Sequence, residues 1–119
     1  MNLKDVERVI GFIYPSGFLK NRARLSGIFG KKKFKLRFPN ASIIDSVESI
    51  RSAHNDVLPN NLIPFMAISQ IGSIDYYVFD RNAVGENFKT YVFSVHTIVH
   101  EWESFENFLD WLEASLAVI

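Results

Sequence analysis

The chain has 119 residues, 48% of them apolar, with eleven Phe, four Tyr, two Trp and a formal net charge of zero. That composition fits one domain with a full core and excludes a disordered chain. No Cys is present, which excludes a disulfide framework, a thiolate metal site and a Cys nucleophile.

The zero net charge conceals a split. Residues 1–59 carry eleven Lys and Arg against five acids, and residues 60–119 carry two against eight. The halves are therefore +6 and −6, which points either to a charged partner or to two halves that face each other. Lys4, Asp5, Glu7 and Arg8 interrupt the amino terminus, so no secretory apolar segment is read there. No run approaches the roughly 18 apolar residues of a membrane span. A soluble cytoplasmic protein with no membrane partner is expected.

Leu3, Val6, Val9, Ile10 and Ile13 recur at helical spacing, with Asn2 as N-cap and Gly11 then Pro15-Ser16-Gly17 as the stop. Residues 18–30 show neither period cleanly. Lys33-Phe34-Lys35-Leu36-Arg37-Phe38 alternates strictly, which predicts a strand with Phe34, Leu36 and Phe38 inward and three cations in water. Ser42-Ile43-Ile44 fits a short strand, and residues 45–52 fit one or two helical turns. Residues 55–61 form a loop by composition.

The run Leu62 to Ile68 has the length of a buried strand, with Pro64 confining it to an edge or a bulge. Ile74 to Asp80 and Thr90 to His96 are rich in β-formers and are separated by a polar hairpin loop at 81–87. Together these three strands read as an antiparallel meander. Ser104 then caps a helix in which Phe105, Phe108, Leu109, Leu112 and Leu116 form one apolar stripe against the sheet.

Across residues 57–116, the ordered set of Leu62-Ile63-Pro64-Phe65, Gly72 and Asp75, Tyr76 to Asp80, Tyr91-Val92-Phe93, and Trp102 with Ser104 to Leu109 resembles the SUKH superfamily of Smi/Knr-like proteins. The turn departs from the family's Gly-Gly-Asp, reading Gly72-Ser73-Ile74-Asp75, and the first half matches poorly. The resemblance implies an α+β fold: a curved, mostly antiparallel β-sheet flanked by helices, with a C-terminal amphipathic helix, as a single domain over 1–119. It also implies a binding role. Bacterial members of this kind are mostly immunity proteins that neutralise a cognate toxin, many such toxins being nucleases, and eukaryotic members are regulatory scaffolds.

Catalysis is not expected. His96 and His100 are four apart, but His96 closes a predicted strand and no Glu stands between them, so no metal site is read. The serines lack a nucleophile elbow, and no Gly-rich phosphate loop occurs, so no cofactor is read either. Lys20 to Arg37 holds eight cations with Phe29, Phe34 and Phe38 interleaved. This stretch is the alternative, a nucleic-acid or polyanion site, although alternation sends its aromatics to the core. The partner-binding candidates lie in the acidic half: Asp75, Tyr76, Tyr77, Asp80, Glu86, Glu101, Trp102 and Glu103, acids beside Tyr and Trp anchors facing a basic protein surface. On a regular strand Tyr76 and Tyr77 point to opposite faces. A monomer or weak homodimer is expected.

Overall fold

In the computed structural model, residues 3–55, 58–82 and 88–116 are described. Helix α1 (Leu3–Ile10) buries Val6, and Gly11 ends it at φ +69, a left-handed conformation that glycine adopts without strain. The Gly11 N–H donates to the Glu7 carbonyl at 2.9 Å, and the Tyr14 N–H donates to the Glu7 carboxylate at 2.6 Å. The predicted cap, Asn2, lies outside the described residues.

Residues 18–30, which follow no clean period, belong to helix α2 (Ser16–Gly30). Phe18, Leu25 and Ile28 form its buried stripe. The pattern is blurred because Asn21 occupies the same face, donating to the Gly17 carbonyl, while Leu19 points to water.

The expected strand at 33–38 is instead a helix, α3 (Lys32–Arg37). Six residues satisfy both periods, since Phe34 and Phe38 are two strand repeats apart and also one helical turn apart. Lys, Leu and Arg favour helix over strand, and the aromatic side settles the choice. Phe34 packs between Phe29 and Phe38, with ring centroids 4.5 and 5.2 Å away. Phe34 is buried as expected, but Leu36 is turned outward and is 69% exposed.

The strand and helix weighed for residues 42–52 both form, as β1 (Ala41–Ile43) and α4 (Val47–Asn55). Val47, Ile50 and Ala53 are the buried side of α4, and the Ser46 hydroxyl caps it by accepting from the Ser49 N–H. The meander follows as β2 (Leu62–Gln70), β3 (Ser73–Asp80) and β4 (Thr90–Ser94), but with a further strand, β5 (Thr97–Trp102), that the sequence reading missed. The sheet order is β1-β2-β3-β4-β5, every pair antiparallel. The β2–β3 register shifts between Pro64 and Met66, the bulge that a proline without an N–H requires.

Helix α5 (Phe105–Leu116) follows β5, capped by the Ser104 hydroxyl, which accepts from the Asn107 N–H at 3.1 Å. Its stripe of Phe105, Phe108, Leu109 and Leu112 is buried as predicted. Helices α2 and α5 cover one sheet face, where Phe65 stacks on Phe79 at 4.5 Å and Phe18, Phe105 and Phe108 surround the pair. The opposite face carries Ala67, Tyr76, Val78 and Phe93; α4 covers its β2 side, and α1 packs on α4.

The charge split is partly internal. Arg24 on α2 reaches Asp110 at 2.7 Å and Glu113 at 2.8 Å on α5, and Arg37 donates to the Ser115 carbonyl at 2.6 Å. The hydrogen bond from Arg24 lowers the carboxyl of Glu113 below its ordinary range. Its stabilising effect is therefore present above the ordinary carboxylate range and fades as pH falls through the lowered value. Because the pair is partly exposed, Arg24→Gln is expected to cost at most about 1 kcal/mol at neutral pH. The cost should vanish in strong acid, and urea denaturation at the two pH values measures the difference.

Candidate interaction surface

The predicted partner-binding residues do not form one face. Tyr77 and Trp102 lie on the α5 side of the sheet, ring centroids 6.2 Å apart, with Phe108 packed against both. Burial pushes the Tyr77 hydroxyl up to about 12, so it stays neutral. Tyr76 is also buried, but on the opposite face, paired across the strands with Phe93. Strand alternation therefore separates the two tyrosines as expected, and neither is an exposed anchor.

The acids are dispersed too. The Asp75 carboxylate accepts from the Ser94 hydroxyl at 2.6 Å, and Asp80 accepts from the Asn82 N–H at 2.9 Å. Glu101 is exposed and pairs with Lys89 at 3.4 Å; Glu103 is exposed just past β5, and both raise the pKa of Lys89. Glu86 lies outside the described residues. His96 sits in a turn, and His100 packs edge-on against Trp102 from within β5, so the helical His-x-x-x-His geometry is absent. Among the described residues no group of three or more His, Asp or Glu side chains is placed to hold a metal.

A different surface stands out, at one end of the sheet. In an up-and-down meander, the β2–β3 turn at Ile71-Gly72 and the β4–β5 turn at Val95-His96 emerge at the same end. Both tips are apolar: Ile71 is fully exposed and Val95 is 72% exposed. Between them lies a groove of about 420 Å³, bordered by Gly72, Ile74, Val95 and His96, with Tyr76 and Phe93 contributing to its lining. Ile74 and Tyr76 also line a second hollow of about 450 Å³ that runs between α4 and the sheet past Ser42, Ser49 and Ala67. The two hollows share Ile74 and Tyr76 as lining residues.

The β4–β5 tip is strained. Val95 and His96 both have positive φ, 48° and 68°, at the centre of a two-residue hairpin. Such turns favour Asn-Gly, and a β-branched valine there is an outlier. Strain held in an exposed turn beside a groove points to a function for that turn. Next to it, β5 is an edge strand whose Ile98 and Val99 are 47% and 58% exposed. Exposed apolar side chains gathered on tips, groove and edge are the kind of patch that contacts another protein.

Sequence reasoning missed this surface because Val95-His96 carries no Gly, Asn or Pro to mark a turn. One signal was available: β-forming residues run from Thr90 through Trp102, too long for a typical single strand. No protein-family model, curated protein or solved structure shows significant similarity to the chain.

Proposed function

We propose that the chain is a protein-binding domain that neutralises a cognate bacterial toxin in the cytoplasm by stoichiometric binding, as the SUKH resemblance implies. The observation that carries the binding reading is the apolar hairpin end, where Ile71 and Val95 are exposed around the Tyr76–Phe93 groove. This surface replaces the acidic face as the favoured contact, because Asp75 and Asp80 are engaged within the chain and the aromatic candidates are packed inside. A nucleic-acid reading of Lys20–Arg37 has less support, since Phe29, Phe34 and Phe38 pack on one another instead of standing free to stack on bases.

The test is a titration of the toxin encoded beside this protein in its host genome. Toxin activity is expected to fall linearly and vanish at one equivalent. Inhibition by a small fraction of an equivalent would indicate catalysis, and no inhibition at excess would sink the proposal.

A further inference from the structure

That residues 32–37 form helix α3, where a strand over 33–38 is expected from the sequence, decides what this segment shows to water. As a strand it would hide Leu36 and present only cations. As helix α3 it hides Phe34 and presents Leu36, 69% exposed, one helical turn from Lys32 and flanked by Lys33, Lys35 and Arg37. Lys31 precedes them, and all five cations are exposed. Lys31, Lys32, Lys33 and Lys35 make no ion pair among the described residues. The nearby acid Glu113, which feels Lys31, is bound to Arg24. Lys35 and Arg37 suit the negative end of the helix dipole, but Lys32 and Lys33 in the first turn oppose it, so helix stability does not account for them.

From this arrangement we infer that α3 is a docking face for an anionic lipid surface, with the five cations drawn to headgroup phosphates and carboxylates and Leu36 entering the acyl boundary. Positive charge around a protruding aliphatic side chain matches an interfacial helix. RNA would be matched by positive charge around free aromatics, and here the aromatics face inward. A surface-lying helix needs no spanning segment, and no helix among the described residues is long and apolar enough to be one.

Sedimentation with vesicles tests the inference. The protein is expected to pellet at low salt with phosphatidylcholine vesicles containing about one third phosphatidylserine, and to stay in solution with pure phosphatidylcholine. Binding should fall steeply as salt is raised. Lys32→Gln with Lys35→Gln should weaken binding about tenfold or more, and Leu36→Ser about tenfold with no change in charge. Ile13→Ser, at an 81% exposed position in the segment between α1 and α2, should change nothing. These positions are exposed, and circular dichroism checks that each variant keeps its fold. No binding to anionic vesicles, equal binding to neutral ones, or binding unaffected by Leu36→Ser would each overturn the inference. Salt-sensitive binding of a single-stranded RNA in place of vesicles would overturn it in favour of nucleic acid.

Discussion

Phe79→Ala is expected to destabilise the fold by about 3–5 kcal/mol, a large part of the roughly 5–15 kcal/mol that holds a typical domain together. Phe79 of β3 is fully buried where β2, α2, α5 and the segments before α2 and β4 converge on it. Its ring stacks on Phe65 of β2 at 4.5 Å and meets Phe18 of α2 at 5.2 Å, Phe88 before β4 at 4.9 Å, Phe105 of α5 at 5.7 Å and Tyr14 at 6.4 Å. Truncation opens a cavity with rigid aromatic walls, which have little freedom to collapse into it. Urea denaturation followed by the fluorescence of Trp102 and Trp111 measures the loss. A cost under about 1.5 kcal/mol, the range of a mild core swap, would contradict the packing described.

The second large effect is a gain. Replacing Val95-His96 by Asn-Gly is expected to stabilise the protein by about 2 kcal/mol, because two side chains leave left-handed backbone positions that disfavour them. Phe79→Ala weakens the core, whereas this change leaves the core untouched and raises the midpoint of denaturation. If the tip is a contact, the same variant binds its partner at least about tenfold more weakly, as loss of a central apolar anchor does. Higher stability with undiminished binding would separate the strain from the function. Unchanged stability would show that the turn is not held as described.

The legible parts of the fold were those with a single consistent signal. In α5, the N-cap, acidic first turn and apolar stripe agree, and β2 and β3 stand out as β-branched and aromatic runs bounded by turn residues. Helix α3 was misread because Phe34 and Phe38 satisfy both periods, and only their packing against Phe29 decides between them. Strand β5 was missed because its turn violates the usual residue preferences, and that violation is itself the mark of the proposed contact. The acidic candidates do not share one face, for a geometric reason. Tyr76 and Tyr77 are neighbours in sequence, but the pleat sends them through opposite faces of the sheet, and a count of acids does not reveal that Asp75 is tied to Ser94. The proposed contact surface rests on the exposure of Ile71, Val95 and Ile98, which hydrophobic residue type alone assigns to the core.

The most direct test of the binding account is hydrogen exchange of this protein alone and mixed with the toxin encoded beside it. The account predicts new protection concentrated at residues 71–74 and 95–99, the two hairpin tips and the start of the edge strand, with α3 unchanged. Protection confined to other segments, or none anywhere at saturating toxin, would contradict it.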